Sequence, residues 1–227
     1  MDPVNITALL TAKGTPKHFW LVDDLHVVDY PMLAGKHIKN KYCASEDASI
    51  TTIGKGYGYK PIVMPEKYGK PSSQHVDHIN YAVSQMDEKP DILVVILGNN
   101  VCIKPEWIDE CIERFKGTFE ETTTAIVPAY KDQDHHPMRA MYMNDWGCLQ
   151  STVASKDISS NRQELPDNYF MCHNFWVVKW PVREQGTGPW YFLGANVRPH
   201  LIDDYGTQDI HEKEDLIRAT EWVRTNA

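Results

Sequence analysis

The stretch "DILVVILGNN", residues 91 to 100, decides the fold. Its residues 92 to 97 are six consecutive apolar residues. An apolar run of this length without alternation predicts a strand that is covered on both faces, as in the middle of a parallel sheet. Gly98, Asn99 and Asn100 follow at the carboxyl end of this strand. We therefore place the strand at the centre of a sheet and expect the other elements to flank it.

Apolar strand-like runs alternate with amphipathic helical runs on both sides of this strand. The other predicted strands cover residues 6–11, 41–44, 60–64, 122–130, 169–178 and 196–202. The predicted helices lie within residues 47–59, 73–86, 105–115 and 211–223, the last with Leu216, Ile217, Ala219, Thr220 and Val223 inward. Strands that alternate with helices predict an α/β fold with a mainly parallel sheet. We expect one domain over residues 1–227, with the polar residues 131–168 as a small excursion.

The composition restricts the class of protein. The 227 residues are 42% hydrophobic and 24% charged, as in an ordinary globular domain. The formal net charge of -8 argues against nucleic acid as a partner, because phosphate backbones bind to clustered Lys and Arg. The sequence holds neither a signal-peptide core nor an apolar run of 18 residues, so we expect a cytoplasmic protein that binds no membrane. The five cysteines form no C-x-x-C pair, which argues against a structural zinc site.

A loop with two lysines follows the first predicted strand. "TAKGTPK", residues 11 to 17, carries Lys13, Gly14 and Lys17 at the carboxyl end of that strand. In open parallel sheets, ligands collect where loops leave the strand ends. The ammonium groups would reach a phosphate as point charges, and Gly14 lets backbone N–H groups approach phosphate oxygens closely. The alternative is a solvated loop without a ligand, which a Gly-Thr-Pro turn also fits.

Several motifs in a fixed order resemble one enzyme family. They are the lysine loop, "YGYKPIVMPEKYGKPSSQHVDHINYA" (57–82), "LVVILGNNVCIKPEWIDECIERF" (93–115), "HPMRA" (136–140), "NRQELPDNYFMCHNFWVV" (161–178) and "YGTQDIHEKEDLIRATEWV" (205–223). Together they resemble the cytidylyltransferases that make CMP-linked sugars, which are the CMP-sialic acid and CMP-octulosonate synthetases, and relatives that activate phosphonates. "LGNN" replaces the glutamine-proline-threonine-serine-proline run usual in the sialic acid enzymes and is more similar to the phosphonate-activating branch.

The resemblance implies a three-layer α/β sandwich with a Rossmann-like nucleotidyltransferase sheet. It implies transfer of CMP from CTP to a small acidic acceptor, either a 2-keto-3-deoxy sugar acid such as a sialic acid or a phosphonate, with release of pyrophosphate. The implied cofactor is Mg²⁺. The implied catalytic residues are Lys13, Lys17 and Asp209, with Asp209 as the metal ligand. The implied nucleotide-binding residues are Ala12, Lys13, Gly14, Gly98, Asn99 and Asn100.

Two of these assignments have a local alternative. Asn99 and Asn100 carry carboxamides that donate and accept, as a cytosine edge requires, but they also favour an Asx turn. Family members often have an aspartate-x-aspartate before the closing helix, where Asp209 keeps the first position and His211 replaces the second. Mg²⁺ prefers oxygen ligands, so we expect Asp209 to bind the metal and His211 to support it or to contact the acceptor. The alternative is that Asp209 caps the closing helix.

Basic residues of the excursion are the candidates for binding the acid group of the acceptor. A guanidinium binds a carboxylate or phosphonate with two hydrogen bonds, so we assign Arg139 and Arg162 to the acceptor, with Gln163 beside them. The alternative for either arginine is a surface ion pair. His75 and His78 lie one helical turn apart. This spacing is compatible with a metal, but no third ligand is evident. We expect a polar contact close to the helix cap for His75, which is also a candidate for binding the acceptor, and a solvated face for His78.

The chain also departs from the family pattern. Pro16 stands where the family has serine, and no second lysine-asparagine pair follows. Asp23 and Asp24 lie near the lysine loop and would repel a triphosphate unless they hold a metal ion. These departures favour, as the alternative function, a catalytically silent relative that binds a nucleotide or a protein partner. A nucleotide-diphosphosugar transferase is disfavoured because "LGNN" lacks its aspartate-x-aspartate.

The resemblance also implies an oligomer. Family members are often dimers that form through the segment after the fifth strand. We therefore predict a homodimer with residues 131–168 as the partner surface.

Overall fold

The predicted central strand lies in the middle of an eight-stranded sheet in the computed structural model, which describes residues 4–117, 122–155, 157–182, 185–203, 206 and 209–226. The strands are β1 (Ile6–Thr11), β2 (Leu21–Val22), β3 (Leu25–His26), β4 (Asn40–Ser45), β5 (Lys60–Val63), β6 (Ile92–Leu97), β7 (Ala125–Lys131), β8 (Met141–Met143), β9 (Leu149–Ser151), β10 (Tyr169–Met171), β11 (Phe175–Lys179) and β12 (Val197–Leu201). The α-helices are α1 (Asp29–Gly35), α2 (Ala48–Gly56), α3 (His75–Ser84), α4 (Pro105–Lys116) and α5 (Asp215–Asn226).

The large sheet is mainly parallel, as predicted. Its strands run in the order β5-β4-β1-β6-β11-β7, and β10 and β12 also pair with β7. Only β10 and β11 are antiparallel to their neighbours. Thr11 at the end of β1 is in register with Leu97 at the end of β6. Because β7 and β6 are both antiparallel to β11, the carboxyl ends of β1, β6, β7 and β12 lie at the same edge of the sheet.

Helices cover both faces of this sheet and form the predicted three layers. On one face, Ile79 of α3 shares a buried cluster with Val95 of β6. On the other face, Ile108 of α4 shares a buried cluster with Val94 of β6. Successive residues of a strand point to opposite faces, so the unbroken apolar run of β6 supplies both layers at once. No helix in the described part of the chain is both long and apolar enough to cross a membrane.

The excursion begins where β7 ends, at the edge that also holds the end of β1. It contains the hairpin β8–β9, whose two strands pair with each other and not with the large sheet. The apolar side chains of this hairpin point to solvent, and 85% of Trp146 is exposed. The hairpin therefore adds an apolar surface beside the strand ends, without adding to the core.

Three parts of the chain differ from the sequence prediction. Helix α1 and the short hairpin β2–β3 are new, since neither has a periodic pattern long enough to predict an element. Residues 169–178 form two antiparallel strands, β10 and β11, instead of one. The prediction that Ile217 of α5 points inward is wrong, because 71% of that residue is exposed. Trp222 of the same helix is buried.

Candidate functional site

A pocket of about 220 Å³ opens at the carboxyl ends of β1 and β6. Its lining combines ammonium, imidazole, hydroxyl and amide groups. The lining residues are Thr11, Ala12, Lys13, Thr15, Lys17, His18, His75, His78, Leu97 and Asn99. None of these described lining residues is acidic, so the pocket is suited to an anion.

The lysine loop packs tightly against the end of the central strand. The backbone N–H of Gly98 donates to the Thr11 carbonyl over 2.9 Å. A Cβ atom on Gly98 would lie 2.7 Å from the Cβ of Ala12, closer than side chains tolerate. Glycine is therefore required at the end of β6 for the two loops to meet and form the pocket floor.

The loop groups that were predicted to bind phosphate already have partners within the protein. The backbone N–H of Gly14 donates to Oε1 of Glu46 over 2.7 Å. The ammonium of Lys13 donates to the carbonyl oxygens of Lys70 at 3.0 Å and of Ser73 at 3.5 Å, in the segment before α3. A phosphate that binds to the Gly14 N–H must displace Glu46, whereas the ammonium of Lys13 has three N–H groups and can add a phosphate to its two protein acceptors.

Lys17 connects the loop to the segment before α5. It lies in a single turn of 3-10 helix, Pro16–Phe19, and its Nζ is 3.4 Å from Nδ1 of His211. Burial lowers the pKa of Lys17, and the negative charges of Asp209, Asp215 and Glu212 oppose that shift. Lys17 is thus a half-buried cation between the pocket and an acidic segment from the far end of the chain.

Asp209 is held at the end of the central strand by a chain of carboxamides. Nδ2 of Asn100 donates to Oδ1 of Asp209 over 2.8 Å, and Nδ2 of Asn174 donates to Oδ1 of Asn100 over 3.2 Å. Burial raises the pKa of Asp209, and the bond from Asn100 is the largest of the effects that oppose this. The other oxygen, Oδ2, lies 3.8 Å from Nε2 of His211. Both oxygens of Asp209 therefore have polar neighbours beside the pocket.

The start of α5 has a different acidic residue at its backbone amides. Oδ2 of Asp215 accepts from the N–H groups of His211 and Glu212 at 2.8 and 2.9 Å. The side chain of Asp209 instead points to Asn100. This arrangement favours a site residue over a helix cap at position 209.

The two asparagines after β6 have different environments. Asn99 lines the pocket, and its carbonyl accepts from the N–H of Ile210 over 2.9 Å. Asn100 is completely buried and makes its contacts to Asp209 and Asn174. Asn99 is therefore placed to meet a ligand, whereas Asn100 is placed to hold Asp209.

Three histidines, His18, His75 and His78, line the pocket, and the sequence predicted a site role only for His75. Nε2 of His75 lies 3.0 Å from Oγ1 of Thr11, so the predicted polar contact of His75 is present. The solvated face predicted for His78 is wrong, because only 2% of this residue is exposed. Burial lowers the pKa of His75 to about 3 and those of His18 and His78 to about 4. All three imidazoles are therefore neutral at pH 7.

The three acceptor candidates in the excursion do not line the pocket. Arg162 forms an ion pair with Asp134. Arg139 ends a short exposed turn, Pro137–Arg139, and Gln163 lies exposed in the turn Arg162–Glu164. The sheet topology places the excursion at the same edge as the pocket, but these side chains make their contacts on the excursion itself.

Asp23 does not face the lysine loop as a repelling charge. It lies in the turn between β2 and β3 with a positive φ of 47° and forms an ion pair with Arg224 of α5, with 2.6 Å between Oδ1 and Nη2. The repulsion expected for a triphosphate is therefore reduced at Asp23, since a guanidinium neutralises this carboxylate.

A divalent cation would find one carboxylate at this site. The described residues contain no cluster of three or more His, Cys, Asp or Glu side chains that could hold a metal ion. Mg²⁺ in proteins is commonly held by one or two carboxylates together with phosphate oxygens of the substrate. Asp209 fits that kind of site, in which the ligand itself completes the coordination.

Solved structures with the same architecture are similar over almost the whole chain. One is CMP:2-keto-3-deoxy-manno-octonic acid synthetase complexed with CTP, with a TM-score of 0.69, 10% identity, and coverage of 98% of this chain and 100% of that chain. The chain shares the Rossmann-like α/β sandwich fold of this structure. A second structure of this fold is 4-diphosphocytidyl-2C-methyl-D-erythritol synthase from Anaerococcus prevotii, with a TM-score of 0.65, 13% identity, and coverage of 97% of this chain and 96% of that chain.

A third structure of the same fold comes from Mycobacterium tuberculosis H37Rv and is a complex with manganese. It has a TM-score of 0.58 and 16% identity, with coverage of 96% of this chain and 98% of that one. No family model and no curated protein matches the sequence. The three-layer α/β fold implied by the motifs is thus confirmed by the similarity to these structures.

Proposed function

We propose that the protein transfers CMP from CTP to a small acidic acceptor and releases pyrophosphate. The observation that carries this proposal is that Lys17 lies beside His211 and within electrostatic reach of Asp209, at a pocket that Lys13 and Asn99 also line. Cationic groups and a late carboxylate thus meet at the carboxyl edge of the sheet. Two solved structures with this fold are named for cytidyl chemistry, and one of them is complexed with CTP.

The reaction needs positioning and charge neutralisation more than a protein nucleophile. An oxygen of the acceptor attacks the α-phosphorus of CTP, the bond to the β-phosphate oxygen breaks, and pyrophosphate leaves. Lys13, Lys17 and the N–H of Gly14 would bind the phosphates and stabilise the charge that develops on the leaving group. Ala12, Gly98 and Asn99 would form the wall for the nucleoside, and Asn100 would keep Asp209 in place.

A divalent cation is the proposed cofactor, and we propose Mg²⁺. Asp209 would hold it together with phosphate oxygens of CTP. When bound, the cation would supply positive charge to the phosphates. Manganese in one structure of the same fold supports a divalent ion in general. Lys17 and Asp209 would then bind the same polyphosphate from opposite sides.

The acceptor would bind on the side of the pocket that faces the excursion. We propose that Arg139, Arg162 and Gln163 recognise its acid group and that His75 and His211 contact it from the pocket. Arg162 would have to exchange Asp134 for the acceptor. The acceptor is either a 2-keto-3-deoxy sugar acid or a phosphonate, both of which present an anion to a guanidinium.

The excursion is also the proposed dimer surface. The hairpin exposes Met141, Met143, Trp146 and Leu149, which are large apolar side chains. Exposed apolar clusters of this kind are typical of protein interfaces. We expect a dimer by light scattering at micromolar concentration and a monomer for Trp146→Ser with Leu149→Ser. A wild-type monomer would contradict the proposed homodimer.

The decisive experiment is release of pyrophosphate from CTP and Mg²⁺ with a panel of sugar acids and phosphonates. We expect release with at least one acceptor, and loss of release in Asp209→Asn. Asp145→Asn is the matched control, since this carboxylate lies on the exposed excursion. Turnover with UTP but not with CTP, or full activity in Asp209→Asn, would contradict the proposal.

The alternative is a protein that binds nucleotide without turnover. It is favoured by the occupied state of Lys13 and Gly14 and by the imidazole of His211 at a position where the family often has a carboxylate. Calorimetric binding of CTP without pyrophosphate release for any acceptor would establish this alternative.

A further inference from the structure

The side of the pocket that carries Lys17 and Asp209 is built from the two ends of the chain. The hairpin β2–β3 follows the turn of Lys17, and helix α5 follows Asp209. We call this hairpin and this helix the terminal clamp. Its two parts share an apolar cluster that is separate from the clusters on the two faces of the large sheet, and the buried members are Val22, Val27, Val101, Ile210 and Ala219. The two parts of the clamp therefore pack on each other, apart from the core of the sheet.

Both site residues are one position away from a residue that is held at the terminal clamp. The carbonyl of His18, next to Lys17, accepts from the N–H of Val28 just after the hairpin, over 3.1 Å. Ile210, next to Asp209, is completely buried in the cluster that the hairpin shares with α5. The position of the Lys17 ammonium relative to the Asp209 carboxylate therefore depends on how the hairpin packs against α5.

One ion pair closes the terminal clamp. Nη2 of Arg224 lies 2.6 Å and its Nε 3.0 Å from Oδ1 of Asp23, so a guanidinium of α5 holds the turn of the hairpin. The Arg224 side chain is 69% exposed, and neither residue is among the described residues that line the pocket. The pair can therefore stabilise the clamp without contact to a ligand in the pocket.

We propose that Asp23 and Arg224 are positioning residues for nucleotide binding, because their ion pair holds the hairpin against α5 and thereby keeps Lys17 beside Asp209. The inference rests on the proposed function, since it assumes that Lys17 and Asp209 bind one polyphosphate. An apolar cluster this small belongs to the less stable parts of a fold, so it can loosen while the sheet stays folded. Loosening moves the ammonium and the carboxylate apart and weakens their joint contact with the ligand.

The sign of the effect at Asp23 separates positioning from direct electrostatics. If Asp23 acts only through its charge, Asp23→Asn removes a negative charge from the protein and tightens the binding of an anion. If Asp23 positions the site, Asp23→Asn weakens binding, as Arg224→Ala does. Asp23 has a φ of 47°, which asparagine also tolerates, so this variant keeps the turn.

Calorimetric titration of the full chain with CTP and Mg²⁺ tests the inference. We expect Arg224→Ala and Asp23→Asn each to weaken CTP binding about fivefold, the upper limit for a partly exposed ion pair. The double variant should lose no more affinity than Arg224→Ala alone, because both substitutions break the same contact. The midpoint of urea unfolding should shift no more in these variants than in the control, since the core of the sheet does not depend on the pair.

The matched control is Lys60→Ala. Lys60 forms an exposed ion pair with Asp87, with 2.7 Å between Nζ and Oδ2, and it lies at the start of β5, at the opposite edge of the sheet from the pocket. We expect this variant to keep the wild-type affinity for CTP. Unchanged or tighter binding in Asp23→Asn, or additive losses in the double variant, overturns the inference and leaves the proposed function standing. If the wild type binds neither CTP nor pyrophosphate, the proposed function fails as well.

Discussion

The lysine loop, residues 12–17, and the excursion, residues 131–168, leave parallel strands at the same edge of the sheet but differ in how their polar groups are used. In the loop, Gly14 and Lys13 are bonded to Glu46 and to the segment before α3. In the excursion, Arg139 lies exposed and Arg162 has an ion pair with Asp134 at the surface. The loop groups are thus held by contacts within the fold, whereas the excursion groups lie at the surface.

This difference indicates which part of the proposed active site a single chain forms by itself. The proposed nucleotide-binding groups of the loop are held by contacts to distant parts of the chain, so they would need little ordering if a nucleotide binds. The proposed acceptor groups Arg139, Arg162 and Gln163 lie in exposed turns before and after the hairpin β8–β9. A second copy of the chain, or the acceptor itself, would supply the contacts that order them.

The largest effect is expected for Lys17→Ala. If the pocket is preorganised for a triphosphate, loss of this ammonium lowers kcat/KM for CTP by about 100-fold, as for other groups that stabilise transition-state charge. Steady-state pyrophosphate release measures this. Lys55→Ala, on the exposed side of α2, is the control. If Lys17→Ala and Lys55→Ala have the same kcat/KM for CTP, the lysine loop does not bind the triphosphate, and the contrast between the loop and the excursion disappears.

The pH dependence of stability tests the buried state of the pocket wall. The pKa of His78 is about 4 in the folded chain against an ordinary value of 6.5, so the unfolded chain binds more protons between these values. Stability is therefore lost as the pH falls from 7 toward 4. Between pH 7 and pH 5 the free energy of unfolding should fall by about 2 kcal/mol less in His78→Phe than in the wild type, measured by urea unfolding. An unchanged loss would show that the imidazole is solvated.

We expect tighter binding of pyrophosphate when Glu46, which competes with the ligand for the backbone N–H of Gly14, loses its charge. Glu46 places one oxygen on the N–H of Gly14, while its other oxygen is buried without a partner among the described residues. Glu46→Gln removes the charge from this contact, so inorganic pyrophosphate should bind about tenfold more tightly. Glu66→Gln removes the same charge from an exposed neighbour and should have little effect. Weaker binding in Glu46→Gln would show that Glu46 supports the site.

The smallest effects are expected in the excursion. Arg139→Ala should raise the KM for the acceptor about fivefold and leave the KM for CTP unchanged, because an exposed charge pair is worth about 1 kcal/mol or less. Arg162→Ala should have a smaller effect, since Asp134 already holds that guanidinium. Equal increases in both KM values would place the excursion within the nucleotide site and remove the distinction between the two regions.

The strands could be predicted from the sequence because their signal is local. β1 has the predicted bounds, and β4 and β6 differ from them by one residue at each end. The parallel order followed from the alternation of strands and helices. The split into β10 and β11 could not be predicted. Residues 172–174 are polar or small because of contacts with distant parts of the chain, which no local pattern shows. Asn174 is needed there to reach Asn100 and the carbonyl of Gly206.

The site was predicted in part. Lys13, Lys17 and Asn99 line one pocket, as the strand ends suggested. His78 was predicted to face solvent, but it is buried, and the ring of Tyr68 from the preceding segment meets it edge-on. Likewise, the ion pair of Asp23 with Arg224 joins residues 201 positions apart, which no local pattern reveals. Ile217 was placed inward by spacing alone, although Trp222 is the residue of α5 that is buried.

The ion pair between Asp23 and Arg224 has a consequence for the order of events on the ribosome. The hairpin β2–β3 and helix α5 share a small apolar cluster that contains Val22 and Ala219, beside this ion pair. Helix α5 is synthesised after every strand of the large sheet. During translation the strands of the sheet can therefore pair before the hairpin β2–β3 gains its contacts with α5.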